Sequence, residues 1–288
     1  IFDDWQSYTP VKGLPEKWIG KTTVFKKRNA VLGAISDDEG DEPVPKHLSA
    51  SAASILMTVM YAARMARIDL LRAVGQLARK LTKWGPTEDK KLKRMMQYLA
   101  ASGDLRWIGF VGDPPEKLWL ALYSDADFAG DRSDAKSTSG TVLALVGPHT
   151  FFPLAAQSYK QTAVSHSSAE AEIVAADVAV REIGLPAKDL WETLLQREVP
   201  LVLFEDNQST ASMIESGKFP TLRHVQRTHG INITWLYDCL KRKFFSVKDC
   251  HTERMAADIF TKYFTSREQW MGALLMLWFR NLRQHPKS

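Results

Sequence analysis

Four acidic residues stand where apolar segments end or where helices are expected to begin; they are Asp125, Glu172, Asp206 and Asp258. The first follows the apolar run Lys117–Ser124, and the third follows the run Pro200–Glu205. The other two open predicted helices. In open α/β sheets, ligand-binding groups gather in the crevices where strands end. Side chains at these four positions can therefore converge on one site.

The chemistry of such a site is set by the repulsion between its charges. Four carboxylates in one place repel one another strongly unless cations neutralise them. Carboxylate oxygens bind hard divalent cations, so the pattern indicates a two-metal phosphoryl-transfer site. Each acid also has an ordinary alternative, because Asp125 could belong to a turn, Asp206 could cap a helix and Asp258 could lie on a helix surface. Only the four together favour metal binding.

The elements that must position these acids are short strands alternating with helices. Apolar runs predict five strands, at 117–123, 141–146, 149–156, 200–205 and 244–247. The first three are adjacent, and helical segments separate the others. This order predicts an α/β fold in which helices cover both faces of a mixed five-stranded sheet. Alternation along the first strand places Asp125 on the same face as Trp119 and Tyr123.

Two glutamates near the start of the first predicted helix after these three strands have different predicted roles. If Ser167 is the N-cap, Glu170 takes the third helical position and completes a capping box, which is a structural role. Glu172 is then left for the site. It lies one turn into the helix, on a face that packs toward the sheet through Ile173, Ala176, Val180 and Ile183.

The composition is that of a soluble globular protein with a substantial core. Of 288 residues, 45% are apolar and 25% are charged, and both fractions are ordinary for such proteins. The net charge of +5 is compatible with a nucleic-acid partner but is too small to indicate one. Only Cys239 and Cys250 are present, which predicts a reducing compartment and argues against a disulfide framework or a zinc ribbon.

Four segments are predicted along the chain. Residues 1–46 are expected to form a loosely ordered leader, 47–113 a helical segment, 114–265 the α/β domain and 266–288 a docked amphipathic helix. The basic run Lys90–Arg94 falls on a helix of the second segment. It is either a solvated helix face or a face that contacts phosphates.

The start of the chain and its apolar stretches indicate the cellular compartment of the protein. The longest apolar candidate, Ile55–Leu71, is interrupted by charged residues, so no membrane span is predicted. The first residues include neither a Met nor the basic and apolar regions of a secretory signal. These features predict an intracellular segment that is cut from a longer protein.

Five motifs in the second half of the chain occur in a diagnostic order. They are Tyr123–Asp131, Lys136–Gly140, Ser167–Glu172, Glu205–Ser209 and Ala257–Lys262. With these motifs, the segment from about 117 to 265 resembles the ribonuclease H domain of copia-type long-terminal-repeat retrotransposon Pol polyproteins. Residues 50–104 are similar to the helical connection that precedes this domain, with matching motifs at Met60–Arg64, Arg67–Leu70 and Met95–Leu99.

The resemblance implies a fold, an activity and partners. It implies a ribonuclease H-like fold that cleaves the RNA strand of an RNA–DNA hybrid with two Mg²⁺ ions, Mn²⁺ being a substitute. The metal-binding acids of the family fall on Asp125, Glu172, Asp206 and Asp258. The upstream reverse transcriptase polymerase domain of the same polyprotein is the expected protein partner, in a cytoplasmic particle or in the nucleus. The oligomeric state is left open.

The chain also departs from the family pattern and leaves alternatives open. Where the family has Arg-Thr-Lys-His-Ile-Asp-Ile, this sequence has Arg227–Ile233, which lacks the Lys-His pair and the acid. Substrate binding there is therefore expected to differ. His251 is either a proton shuttle or an exposed structural residue. Two rival functions are a catalytically silent hybrid-binding or assembly module of a decayed retroelement, and an integrase-type transferase.

Overall fold

The computed structural model describes residues 49–130, 134–218 and 224–281. These residues divide into two units. Residues 109–261 form the sheet unit, whereas residues 49–108 and 262–281 together form the helical unit. The leader predicted at 1–46 lies outside the described residues.

The secondary structure of the described residues consists of short strands and of helices of up to 17 residues. The strands are β1 (Leu105–Trp107), β2 (Trp119–Asp127), β3 (Thr138–Gly147), β4 (Thr150–Lys160), β5 (Leu201–Glu205), β6 (Ser246–Asp249) and β7 (Phe279–Asn281). The α-helices are α1 (Ser49–Met65), α2 (Leu71–Ala78), α3 (Pro86–Ala101), α4 (Ser168–Val178), α5 (Leu185–Leu195), α6 (Gln208–Ser216), α7 (Val225–His229), α8 (Ile233–Lys241) and α9 (Arg267–Met276). Short 3-10 helices occur at Ile68–Leu70, Leu81–Lys83, Pro115–Lys117, Thr252–Arg254 and Ala256–Phe260, and a π-helical turn, Ala179–Gly184, joins α4 to α5. None of the described helices combines the length and the hydropathy needed to cross a bilayer.

Five strands of the sheet unit form one mixed sheet in the order β4-β3-β2-β5-β6. The pairs β2–β3 and β3–β4 are antiparallel, whereas β2–β5 and β5–β6 are parallel. Parallel neighbours need long crossovers between them. The helices α4 and α5 lie between β4 and β5 in the chain, and α6, α7 and α8 lie between β5 and β6. The mixed five-stranded sheet predicted from the sequence is confirmed.

The two faces of β2 carry different side chains, as its alternating pattern predicts. Leu120 and Leu122 are fully buried and belong to the main core, which also contains residues of α4, α6 and α8. On the opposite face, Trp119 and Tyr123 contact the ring of Phe204 on β5, with centroid separations of 6.1 and 4.8 Å. Burial of such apolar side chains is the main force that holds the helices to the sheet.

A 3-10 helix, Ala256–Phe260, packs against the face of the sheet that includes Gly140. A β-carbon at Gly140 would lie 2.8 Å from the carbonyl oxygen of Ala257 and from the β-carbon of Phe260. The glycine therefore allows the helix to approach the strand. Ser158 on β4 donates a hydrogen bond to the carbonyl oxygen of Phe260 at 2.7 Å. Helices thus lie on both faces of the sheet, as predicted.

A buried ion pair organises the helical unit. The carboxylate of Asp69 accepts hydrogen bonds from Arg67 Nε at 3.0 Å and from Arg67 Nη2 at 2.8 Å. It also accepts a hydrogen bond from the hydroxyl of Tyr98 on α3, at 2.7 Å. These bonds connect the turn before α2 to α3, so the Arg67–Leu70 motif has a structural role in the helical unit.

The C-terminal helix is shorter than the predicted span of 266–288. The helix α9 ends at Met276, and Phe279–Asn281 then forms β7, which pairs antiparallel with β1. Trp278 has a φ of 61°, a left-handed conformation that cannot continue a right-handed helix. Helical periodicity places Trp278 on the apolar face of the predicted helix, so the sequence pattern alone does not show that the helix ends before this residue. Residues 282–288 lie outside the described part of the chain.

Candidate functional site

Three of the four predicted acids come together at one end of the sheet. Carboxylate oxygens of Asp125, Glu172 and Asp206 all lie within 4.8 Å of one another. Asp125 and Glu172 are buried, and Asp206 is partly exposed. Within the described residues, the three acids come from β2, α4 and the end of β5, so only the assembled sheet unit contains the cluster.

Asp125 is held by the strand β2 and by a neighbouring hydroxyl. In the antiparallel register, Asp125 is opposite Gly140 on β3. The hydroxyl of the buried residue Thr261 donates a hydrogen bond to Asp125 Oδ2. Strand pairing therefore fixes the backbone of Asp125, and Thr261 contacts its carboxylate directly.

Glu172 reaches the cluster because the start of α4 packs closely on β2. Ser167 is the N-cap, as predicted, and its hydroxyl accepts a hydrogen bond from the N–H of Glu170 at 3.1 Å. Ala171 and Ala175 form a small buried cluster with Ala126 of β2. Small side chains at such a contact let a helix lie close to a strand. The first turn of α4 is therefore near the end of β2 that carries Asp125.

Asp206 follows β5 directly, and its neighbour has the capping role. The side chain of Asn207 is the N-cap of α6, and it accepts a hydrogen bond from the N–H of Thr210 at 3.2 Å. The capping alternative for Asp206 is therefore wrong. Because Asn207 caps the helix, the carboxylate of Asp206 can lie in the acidic cluster.

The fourth predicted acid, Asp258, lies outside the group of three within the described residues. It is partly buried on the 3-10 helix Ala256–Phe260. Burial raises the pKa of the Cys250 thiol to about 12, and the charges of Asp206, Asp249 and Asp258 add to this increase. Asp206 and Asp258 therefore both act electrostatically on Cys250, and the role of Asp258 as a metal ligand stays a prediction.

His251, the predicted proton shuttle, is exposed. Its Nδ1 accepts a hydrogen bond from the N–H of Glu253 at 3.3 Å, so its side chain caps the 3-10 helix Thr252–Arg254. This bond fixes Nδ1 as an acceptor and directs any proton carried by the neutral ring to Nε2. The structure shows the capping role, and proton transfer by His251 stays a prediction.

A further buried carboxyl group, Glu205, lies beside the cluster and was not predicted. Ser124 donates a hydrogen bond to Glu205 Oε2, and the N–H of Asn207 donates one to Oε1, both at 3.3 Å. Burial raises the pKa of Glu205 well above its usual range, the bond from Asn207 opposes this shift, and the charges of Asp206 and Asp125 increase it. Its position as the last residue of an apolar strand was the available signal.

A second unpredicted group surrounds Glu170. Its N–H bonds the N-cap Ser167 as predicted, but its carboxylate bonds the N–H of His166 and not that of Ser167, so the predicted capping box is incomplete. The fully buried carboxylate of Glu170 accepts the hydrogen bond from the N–H of His166 at 2.9 Å. The Nε2 atoms of His224 and His229 lie 3.2 and 3.1 Å from its two oxygens. His229 belongs to Arg227–Ile233, where the sequence departs from the family pattern. The altered motif therefore has a partner on α4.

The donor set of the cluster fits a divalent metal ion. Three carboxylates from separate segments provide only oxygen ligands, which Mg²⁺ and Mn²⁺ prefer. Their closeness is unfavourable without a cation, because like charges repel, and the burial of Asp125 and Glu172 strengthens this repulsion. The three acids could therefore hold a hard cation.

The strand order defines the sheet unit as a ribonuclease H-like domain, with three antiparallel strands followed by two parallel ones. No family model matches the chain. The chain is 28% identical over 211 residues to the retrovirus-related Pol polyprotein from transposon TNT 1-94 of Nicotiana tabacum, covering 73% of this chain and 15% of that protein. It is 33% identical over 162 residues to the corresponding polyprotein from transposon RE2 of Arabidopsis thaliana, covering 55% of this chain and 10% of that protein.

A shorter relative is the secreted RxLR effector protein 161 of Plasmopara viticola, which is 34% identical over 129 residues, or 45% of this chain and 86% of that protein. One relative is named an effector and the others Pol polyproteins. The similarity therefore establishes common ancestry with these proteins and does not establish an activity. Retrovirus-related Pol polyproteins from plant transposons are homologues of this chain. The resemblance stated from the motifs is confirmed.

Solved ribonuclease H structures resemble part of the chain. The ribonuclease H1 of Halobacterium salinarum NRC-1 has a TM-score of 0.33 and 15% identity, covering 49% of this chain and 93% of that one. The PFV ribonuclease H domain has a TM-score of 0.34 and 15% identity, covering 47% and 81%. The fold assignment rests on the strand order and not on these likenesses.

Proposed function

We propose that the chain is a metal-dependent endonuclease that cleaves the RNA strand of RNA–DNA hybrids. The observation that supports this proposal best is the cluster of Asp125, Glu172 and Asp206, whose carboxylate oxygens lie within 4.8 Å of one another. It occurs in a ribonuclease H-like sheet of a Pol-related chain. Hydrolysis at such a site leaves a 3′-hydroxyl and a 5′-phosphate on the RNA.

The proposal gives each acid a role. Asp125, Glu172 and Asp206 would be the central ligands for two Mg²⁺ ions, and Asp258 would complete the set. When bound, such ions activate a water for in-line attack and stabilise the departing oxygen. The strand pairing of Asp125 and the close packing of α4 hold the ligands in place, so little reorganisation is needed. His251 is proposed to move protons through Nε2.

The proposal also includes the rest of the polyprotein. The chain spans 10–15% of the length of the Pol polyproteins that it matches. In the proposal, residues 47–113 connect the nuclease domain, residues 114–265, to an upstream reverse transcriptase polymerase domain. The substrate hybrid is then the product of that polymerase.

The alternative function is a catalytically silent nucleic-acid-binding or assembly module of a decayed retroelement. Such a module has no need for three carboxylates within 4.8 Å of one another, because their repulsion destabilises the fold. The intact cluster therefore favours the enzyme.

The test is a gel assay with an RNA–DNA hybrid that carries a label on the RNA strand. Cleavage is expected with Mg²⁺ and is expected to stop when a chelator is added. Asp125→Asn and Asp206→Asn should each lower the rate by more than about 100-fold, since about 10- to 100-fold is typical for losing only an outer hydrogen-bond partner of a metal ligand.

The matched control is Asp238→Asn, which changes a carboxylate on α8 by the same chemistry and is not part of the cluster. This variant should cleave at the parental rate. Hybrid binding without any metal-dependent cleavage by the parent would support the silent module, and near-normal cleavage by Asp206→Asn would refute the ligand assignment.

A further inference from the structure

The residue Thr261 connects two of the proposed metal ligands. It is fully buried directly after the 3-10 helix Ala256–Phe260, which carries Asp258. Its N–H donates a hydrogen bond to the carbonyl oxygen of Asp258 at 3.1 Å. Its hydroxyl donates to Asp125 Oδ2 on β2. One residue therefore contacts both the carboxylate of Asp125 and the backbone of Asp258.

The hydroxyl of Thr261 has two acceptors within reach but only one proton. The carbonyl oxygen of Asp258 is 3.2 Å from Oγ1, and Asp125 Oδ2 is closer. A hydrogen bond to a charged oxygen is shorter and about twice as strong as a bond between neutral groups. The proton is therefore directed to the carboxylate of Asp125, and this bond fixes the orientation of that carboxylate.

A row of three residues across the sheet holds this segment in place. Asp125, Gly140 and Ser158 are consecutive partners in the registers of β2, β3 and β4. Asp125 accepts the bond from Thr261, and Ser158 donates one to the carbonyl oxygen of Phe260 at 2.7 Å. Between them, the missing side chain of Gly140 leaves room for Cγ2 of Thr261, which would lie 2.8 Å from a β-carbon there.

We propose that Thr261 is a positioning residue for the metal site, which orients the carboxylate of Asp125 and holds the helix that carries Asp258. The inference rests on the proposed function, because it takes these acids as metal ligands. An outer partner of this kind limits the orientations of a ligand and so reduces the entropy lost when the metal binds.

The test compares Thr261→Val with Thr261→Ser. Valine keeps the shape and Cγ2 but removes the hydroxyl, whereas serine keeps the hydroxyl and removes the methyl group. Binding of Mn²⁺ to the full chain is measured by calorimetry without nucleic acid. Thr261→Val should bind Mn²⁺ about tenfold more weakly than the parent, as for other outer partners of metal ligands, and Thr261→Ser should bind like the parent.

Cleavage provides a second readout. For Thr261→Val, the Mg²⁺ concentration that gives half the maximal rate should rise by a similar factor, while the rate at saturating Mg²⁺ stays within a few-fold of the parental rate. A purely structural role would lower the melting temperature of both variants and leave the metal affinity unchanged. Parental Mn²⁺ affinity in Thr261→Val, or an equal loss in Thr261→Ser, overturns the inference.

The outcomes separate this inference from the proposed function. A parent that binds Mn²⁺ but does not cleave the hybrid refutes the nuclease, and the calorimetric comparison still decides the role of Thr261. A parent that binds no Mn²⁺ overturns both.

If Thr261→Val does not fold, Ser158→Ala decides, because it releases the other end of the segment. Weaker Mn²⁺ binding by Ser158→Ala supports the inference, and parental binding overturns it.

Discussion

The protein buries acidic side chains in two different ways. In the helical unit, the carboxylate of Asp69 accepts hydrogen bonds from two nitrogens of Arg67 and from the hydroxyl of Tyr98. In the sheet unit, Asp125 and Glu172 are buried within 4.8 Å of a third acid. The first arrangement matches a charge with an opposite charge, whereas the second places like charges together. The comparison shows that a buried acid can be matched by an opposite charge of the protein itself or grouped with other acids, where a cation could bind.

The proton state of Tyr98 fits this contrast. Burial, followed by the charge of Asp69, raises the pKa of its hydroxyl well above the usual range. The hydroxyl therefore keeps its proton as a donor to Asp69. The ion pair is complete without any ligand, so Arg67 compensates the charge of Asp69 in the metal-free protein.

The largest expected effect on stability follows from breaking the ion pair. Asp69→Asn should lower the free energy of unfolding by about 3 kcal/mol, because removal of one partner leaves the charge of Arg67 uncompensated. Urea unfolding measures the change. Tyr98→Phe is the control that removes one hydrogen bond and keeps the charge pair, and it should cost about 1 kcal/mol. Equal losses of unfolding free energy in the two variants would show that the charge pair adds no more stability than the single hydrogen bond from Tyr98.

A smaller change of opposite sign is expected at the acidic cluster. Without metal, Asp125→Asn and Asp206→Asn should be at least as stable as the parent, and a gain of up to about 1 kcal/mol corresponds to two like charges about 4 Å apart in water. Addition of Mg²⁺ should raise the melting temperature of the parent more than that of either variant. A clear loss of stability in the metal-free variants would assign these acids a structural role.

The basic run Lys90–Arg94 on α3 can be compared with these acidic groups, because its charges have the opposite sign. Replacement of Lys90, Lys91, Lys93 and Arg94 with Ala should weaken hybrid binding several-fold if this helix binds phosphates. The affinity for the hybrid should also depend less steeply on salt concentration. For duplex DNA, the slope of log K against log salt concentration falls by about 0.9 for each phosphate that the protein no longer neutralises. Exchanging Lys for Arg and Arg for Lys at these positions keeps the charge and should preserve both quantities. Unchanged binding in the Ala variant would identify the run as a solvated face.

The smallest effect is expected at another buried acid, Asp177 on α4. Its partner Arg181 is 49% exposed, whereas Arg67 is 13% exposed. Burial raises the pKa of Asp177 above its usual 3.8, and the bond and charge of Arg181 offset this shift only in part. A weakly buried arginine therefore compensates a buried carboxylate less well than Arg67 does.

This shift gives Asp177 a defined pH dependence. A carboxyl group with a raised folded-state pKa contributes stability that is present below 3.8 and is lost as the pH rises through the folded-state pKa. Asp177→Asn lacks this loss, so the stability of the variant relative to the parent should increase across that window. Melting curves of both proteins from acidic to neutral pH measure the difference, and a constant difference would contradict the assigned pKa shift.

The sequence predicted the strands better at their apolar centres than at their polar ends. The run 117–123 predicted a strand that continues to Asp127, because pairing with Thr138 extends β2 through polar residues. Apolar patterns report packing against the core, whereas backbone pairing extends a strand regardless of polarity. The polar extension is the part of β2 that carries Asp125.

The site was predicted from motif order more than from single residues. Asp206 alone looked like an N-cap, and only the structure shows that the next residue, Asn207, caps α6. The contacts of Glu170 with His224 and His229 were not predicted, because they join residues more than 50 positions apart. Local patterns do not encode such contacts, so the acids could be proposed but their neighbours could not.

The parallel pairing of β2 with β5 has a consequence for the order of folding. Ser124 and Glu205 contact each other across this pair although they are 81 residues apart in the chain. Contacts between such distant segments form slowly, because a long loop must close first. Asp125 and Asp206 can meet only after that closure. A cation held by both carboxylates would therefore slow unfolding and leave the rate of chain closure unchanged, so its binding would report when the central strands have joined.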